Sequence, residues 1–190
     1  MNKMQKMSAN LLLSYVAKNP LERLPAMLDL AEKVDRSGQH SNMIDTLRDV
    51  LNEKDGVWYG FARSLFDEVD QKSLHKLMEC FIINASLEGQ AKNREAEEQF
   101  DCNVPWAILM DPTSACNLSC IGCWASEYGN RLSLEYNELD DIINQGKELG
   151  TYLYIYSGGE PLMRKEDIIR LCEKHSDCAF LAFTNGTLID

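Results

Sequence analysis

Cys116, Cys120 and Cys123 follow one another at spacings of four and three residues in the run Cys-Asn-Leu-Ser-Cys-Ile-Gly-Cys. Three thiolates so close in the chain can converge on one small inorganic centre. Iron–sulfur clusters held wholly by protein take four cysteines, and structural zinc takes four ligands, so a compact triplet leaves one position open. An open position is where chemistry can occur. Other uses of the same residues stay in view. A structural zinc site would recruit a fourth ligand, for which Cys102 is the nearest candidate in sequence. A redox dithiol would use Cys120 and Cys123 and leave Cys116 without a part. No histidine follows Cys123, which excludes covalent haem attachment.

Two further runs could face such a centre. Gly158-Gly159-Glu160-Pro161 combines two residues that let backbone approach a ligand with a carboxylate and a fixed turn, although alone it reads equally as a strand-to-helix turn. Thr184-Asn185-Gly186-Thr187 alone is an ordinary turn. The remaining candidates have plainer readings. Cys80, Cys172 and Cys178 are expected to pack among apolar neighbours, and His40, His75 and His175 to lie at the surface. Tyr152, Tyr154 and Tyr156 alternate along a strand, so they share a face and are expected to pack against helices.

The elements that must position these residues change character along the chain. Residues 1–100 read as helical throughout, a cap or partner-docking region. Asn19-Pro20 starts a helix with the stripe Leu24, Met27, Leu28, Ala31 and Val34, and Gly38 ends it. Ser41 starts the next, lined by Ile44, Leu47, Val50 and Leu51, and Asp55-Gly56 turns the chain before Trp58, Phe61 and Leu65. Leu74, Leu77, Met78, Phe81, Ile82 and Ala85 then mark one face of a long helix that grows polar through Glu95–Glu98. From Val104 and Pro105 the texture changes. Trp106–Met110, Tyr152–Tyr156 and Ala179–Phe183 are near-continuous apolar strands, separated by a helix capped at Ser133 and closed by Gly150, and by a helix over about 165–175. Strand–helix alternation with such strands predicts a parallel α/β sheet over 104–190, with functional loops after the strand carboxyl ends. All three distinctive runs stand there.

Composition narrows the classes. Of 190 residues 45% are hydrophobic and 26% charged, which excludes a disordered chain. The net charge of −11 divides unevenly, with 13 Lys+Arg against 16 Asp+Glu in residues 1–100 and 6 against 14 in 101–190. A half this acidic repels phosphate backbones, so nucleic acid is not an expected partner. Seven irregularly spaced cysteines fit a reducing cytoplasm. The apolar stretch Leu11–Ala17 behind Lys3 and Lys6 is broken early and lacks a cleavage site, and no run has the length of a membrane span.

Cys-x3-Cys-x2-Cys after a first parallel strand, with Gly-Gly-Glu-Pro after the second and Thr-Asn-Gly-Thr after the third, resembles the radical S-adenosylmethionine (SAM) superfamily. The resemblance covers residues from about 104 to 190 and none of the helical first half. It implies a [4Fe–4S] cluster on Cys116, Cys120 and Cys123, with SAM on the fourth iron through its amino and carboxylate groups. One electron passed to the sulfonium then yields methionine and a 5′-deoxyadenosyl radical that abstracts a substrate hydrogen. It also implies SAM contacts from Gly158, Gly159 and Glu160, from the backbone at Gly122, and from Asn185 and Thr184 on the rim. Many members carry an aromatic residue before the third cysteine, where this chain has Gly122, with Trp124 just after. An electron donor of flavodoxin or ferredoxin type is implied. The Thr-Asn-Gly-Thr run is similar to members that modify peptides or proteins, while small-molecule or lipid substrates are equally compatible. Members build a partial (β/α)6 barrel of TIM type, and three strands supply its first half, so the chain is expected to be the amino-terminal part of a longer enzyme. The competing class is a non-catalytic metal-binding scaffold module holding zinc or an iron–sulfur centre.

Overall fold

The computed structural model describes residues 3–34 and 41–190; Gly38 and His40 lie outside the described residues. The chain divides into two compact units, Asn2–Glu79 and Cys80–Asp190. The first holds α1 (Lys3–Ala17), α2 (Pro20–Val34), α3 (Ser41–Asn52), α4 (Val57–Glu68) and α5 (Gln71–Met78). Each packs on its neighbour in sequence, and α5 returns to α1. Leu13, Val16, Leu28, Ile44 and Leu74 are the buried side chains that this ring encloses. Arg48 on α3 reaches back to Asp29 and Glu32 on α2 at 2.9 Å each. Asp70 caps α5 by accepting from the Ser73 amide at 2.9 Å. His75 meets the Ser14 hydroxyl at 3.0 Å.

The second unit begins at Cys80, so residues 80–100 belong with the sheet, although the sequence changes texture only near residue 104. The reason lies in the winding. Glu79–Gly89 is π-helical, and α6 (Gln90–Phe100) continues from it. A π turn is wider than an α turn. The buried residues are Cys80, Ile83, Asn84, Ala85, Gly89, Asn93 and Ala96, so that of the expected stripe Ala85 is buried while Phe81 and Ile82 are exposed. This helical face lies on the loops that enter the strands. Asn84 donates to the Asp177 carbonyl at 2.8 Å, and Asn93 to the Leu149 carbonyl at 2.7 Å. Gly89 and Gly150 press so closely that a Cβ on either would overlap the other's carbonyl oxygen.

The sheet has three parallel strands, β1 (Ala107–Met110), β2 (Leu153–Tyr156) and β3 (Ala179–Ala182), in that order. Ala107 aligns with Leu153, and Leu153 with Ala179. Between β1 and β2 runs α7 (Tyr136–Glu148), and between β2 and β3 runs α8 (Lys165–Lys174). Both cover one face, where Met110, Leu139, Ile143, Tyr154, Tyr156, Ile168 and Leu171 form the core. Leu139, Ile143 and Leu171 are fully buried there, each stabilising the fold by roughly 1.5–3 kcal/mol. Tyr154 and Tyr156 stack on Phe180 with ring centroids 5.8 Å apart, as strand alternation requires. The opposite face is covered only at its entry end, by Cys80 against Leu153 and Ala179. Leu109 and Leu181 further along it are about half exposed.

Two local expectations change. Ser133 does not cap α7: the N-cap is Glu135, whose amide donates to Glu138 at 2.7 Å, while Ser133 bonds the Pro112 carbonyl and receives Arg164. An antiparallel bridge to Thr113 holds Ser133 back toward the β1 loop. His175 is buried rather than superficial, because Asp140 on α7 meets its Nε2 at 2.8 Å and supplies the polar partner that burial demands. Asp140 also receives Lys174 at 2.7 Å. Burial opposes its ionisation, but the bonds and charges of Lys174 and His175 outweigh this and hold its carboxyl below the usual range. No helix among the described residues is long and apolar enough to cross a membrane.

Candidate functional site

The strands end in loops whose backbones are laid against each other. Beyond β1 and β2 the pairing continues: the Ser157 amide donates to the Met110 carbonyl at 3.0 Å, Gly159 to Thr113 at 3.0 Å and Glu160 to Ala115 at 2.8 Å. Side chains at the two glycines would prevent this. Gly158 has φ +101, and a Cβ there would lie 2.6 Å from the Thr113 carbonyl oxygen. A Cβ on Gly159 would overlap the carbonyl oxygens of Ser114 and Ala115. The pair thus sets the base of the cysteine loop directly beside the backbone that follows β2.

The loop itself is pinned at its root and exposed at its tip. Ser114 donates through its amide to the Leu132 carbonyl at 2.8 Å, and its hydroxyl accepts from the Arg131 and Leu132 amides at 3.2 and 3.0 Å. These bonds bring back the 3-10 segment Trp124–Arg131. Cys116 and Cys123 are half-buried and Cys120 is exposed. Together with Ser114, Gly129 and Gly159 the three cysteines border one open cavity of about 220 Å³. The Leu118 amide donates to Cys116 Sγ at 3.5 Å.

Among the described residues no three His, Cys, Asp or Glu side chains are gathered as the ligands of one metal ion. Zinc would draw its thiolates to about 2.3 Å from one centre. A cubane cluster instead takes each thiolate on a separate iron, so three cysteines around one cavity suit it. Cys102, the candidate fourth zinc ligand, borders a separate hollow with Glu97, Asp101 and Asn103. Cys172 and Cys178 are kept as thiols by burial, which pushes them up to about 11 and about 12. The donor set and the bordering glycine fit a [4Fe–4S] cluster.

Glu160 is buried at 1% exposure, and it links two loops. Oε1 accepts from the Leu162 amide at 2.9 Å and the Thr184 hydroxyl at 2.7 Å, and Oε2 accepts from the Asn185 amide at 2.8 Å. Its carboxylate therefore ties the β2 loop to the β3 loop with neutral donors. Asn185 in turn donates through Nδ2 to Asn117 Oδ1 at 2.9 Å. Asn117 and Thr187 belong to this assembly; Thr187 lies in the run marked after the third strand, whereas reading the sequence did not single out Asn117. The signal available was a polar residue set between two cysteines, but its partners lie some 70 positions away. Gly122 takes φ +75 with open space where a Cβ would point, so glycine is favoured there by backbone conformation and not by crowding. Trp124 opens the 3-10 segment, largely exposed.

Comparison with known proteins identifies related chains. Residues 110–190 match the family model of the radical SAM superfamily. An Fe-coproporphyrin III synthase of Methanosarcina barkeri is 33% identical over 100 residues, covering 48% of this chain and 24% of that protein. An AdoMet-dependent heme synthase of the same organism is 31% identical over 91 residues, covering 46% and 26%. A probable GTP 3',8-cyclase of Methanothermobacter marburgensis is 32% identical over 90 residues, covering 44% and 28%. The chain thus spans about a quarter of the length of these relatives, which are named as enzymes. No solved structure matches the chain significantly. Members of the family use a [4Fe–4S] cluster with SAM and need a reductant. Over its cysteine-bearing half, residues 110–190, this chain matches the radical SAM superfamily and is similar to enzymes of that family.

Proposed function

We propose that this chain carries the cofactor-binding part of a radical SAM enzyme, with Cys116, Cys120 and Cys123 as the three protein ligands of its cluster. The observation that carries the reading is the single cavity bordered by those cysteines and Gly159 at the carboxyl ends of parallel strands. When bound, the cluster and SAM supply one-electron cleavage of the sulfonium bond to methionine and a 5′-deoxyadenosyl radical, which takes a hydrogen atom from substrate.

The chain's own residues bind and orient. The Leu118 amide, bonded to Cys116 Sγ, orients that sulfur. Gly158 and Gly159 let the β2 loop lie against the cysteine loop, with Gly159 at the cavity, and carbonyls of this turn would accept from an ammonium group. Glu160 holds that backbone against the β3 loop and adds negative charge beneath it. Gly122 and Asn185, neither of which borders the cavity, are the further SAM contacts that the family resemblance implies. The open sheet face with Leu109, Ile155 and Leu181 is the side over which a partial TIM-type barrel would close. A flavodoxin- or ferredoxin-type donor supplies the electron, and the setting is the cytoplasm.

The matched relatives are named for an iron coproporphyrin, haem and GTP chemistry. Relatives so different in substrate share the radical-generating step, so residues 110–190 carry that step and substrate choice belongs to other segments, whether the substrate is a peptide or a small molecule. Anaerobic reconstitution of the full chain tests the reading. We expect a brown protein with about four irons per chain, a reduced-cluster magnetic resonance spectrum that changes on adding SAM, and loss of the cluster in Cys120→Ala. Stoichiometric, colourless zinc would overturn it in favour of a scaffold module.

A further inference from the structure

The tip of the cysteine loop has little apolar burial to hold it: Leu118 and Cys120 are exposed and Ile121 is fully so. A loop that binds a rigid cluster must nevertheless be held in shape, since ligand orientation is set by the shell around the ligands. Three side chains from two loops close a ring beside Cys116. Asn117 Nδ2 donates to Thr187 Oγ1 at 2.8 Å, Thr187 Oγ1 donates to Asn185 Oδ1 at 2.7 Å, and Asn185 Nδ2 donates to Asn117 Oδ1 at 2.9 Å. Every member gives one bond and takes one, so the ring has a single direction and its bonds polarise one another. The chemistry required is strict: an amide at 117, an amide at 185 and a hydroxyl at 187.

The ring is anchored from below. The Asn185 amide donates to Glu160, the Thr187 amide to Asn185 Oδ1 at 3.0 Å, and the Gly186 amide to Thr184 Oγ1 at 3.1 Å. A continuous path of hydrogen bonds therefore runs from the residue after Cys116, through the β3 loop, to a buried carboxylate in the β2 loop.

We infer that Asn117, Asn185 and Thr187 are positioning residues that clasp the cysteine loop to the β3 loop and hold Cys116 in its cluster-binding orientation. The inference rests on the cluster reading proposed above. It gives the side chain of Asn185 its main part through Asn117 rather than through direct contact with a cofactor.

The test uses the full chain, reconstituted anaerobically, as wild type, Asn117→Ala, Thr187→Val, Thr187→Ser and the Asn117→Ala/Thr187→Val double variant. Iron release to a chelator is followed by loss of colour, and melting of each apo-protein is measured alongside. Outer-shell partners of a metal site are worth 10–100-fold in affinity, so Asn117→Ala and Thr187→Val should each lose iron about 10-fold faster than wild type. Thr187→Ser, which keeps the hydroxyl, should match wild type, and the double variant should be no faster than either single one, because one ring is broken in all three. Apo-protein melting should be unchanged. Release at the wild-type rate in all variants, or faster release accompanied by lower apo-protein melting, overturns the clasp and leaves the cluster reading standing. A wild-type chain that takes up no cluster overturns both.

Discussion

At Gly159 the tolerance for a single methyl group separates two kinds of glycine in this site. Its missing Cβ is replaced by the carbonyl oxygens of Ser114 and Ala115, which are backbone atoms fixed by the pairing of the β1 and β2 loops. Gly122 faces open space, and only its positive φ disfavours a side chain. Gly159→Ala should therefore cost about 3 kcal/mol through forced overlap. Gly122→Ala should cost about 1 kcal/mol through left-handed backbone strain. Urea unfolding of the two variants against wild type measures the difference; equal costs would mean that the loop backbone moves aside freely. The glycines were legible from the motif. That one is sterically obligatory and the other conformationally favoured follows only from their neighbours.

Between elements, the tie of α7 to the end of α8 carries a pH dependence. Asp140 is held below the ordinary carboxylate range by Lys174 and His175 despite its burial. A depressed native value means that the unfolded chain binds the proton first. The tie thus stabilises fully above the unfolded value of about 3.9 and is lost as pH falls through the lower native value. Asp140→Asn should lower stability near pH 7 by about 2 kcal/mol, and its melting temperature should fall less than that of the wild type between pH 5 and 2. Thermal melts across that range decide it, and parallel curves for the two proteins would dismiss Asp140 as the titrating tie. The sequence predicted the helix between the first two strands but did not single out Asp140. Its burial depends on the turn after α8 reaching back to it.

For the molecule as a whole, the division into units falls inside the region that reads uniformly helical. Cys80, Asn84 and Asn93 serve the strand-entry loops, and α1–α5 form a ring by themselves. A chain starting at residue 80 should keep a cooperative unfolding transition. One starting at residue 104 leaves the Leu149 and Asp177 carbonyls without their side-chain donors and uncovers Leu153 and Ala179, a loss of roughly 3 kcal/mol or more. Denaturation of the two truncated chains compares them directly, and equal stability would place the boundary at the change in sequence texture. The sheet's second face, with Leu109 and Leu181 exposed, is also a whole-molecule feature, since α7 and α8 both follow the same hand and cover one side.

Local pattern alone determined the parallel strand–helix alternation, the three loops at the strand carboxyl ends and the cysteine triplet, because each depends on residues within a few positions of one another. Tertiary structure decided the rest. The π winding that turns Asn84 and Asn93 inward, the burial of His175 on Asp140, and the ring of Asn117, Asn185 and Thr187 all join residues dozens of positions apart. A hydrogen bond's partner is fixed by where the backbone brings it, and no spacing in the chain encodes that.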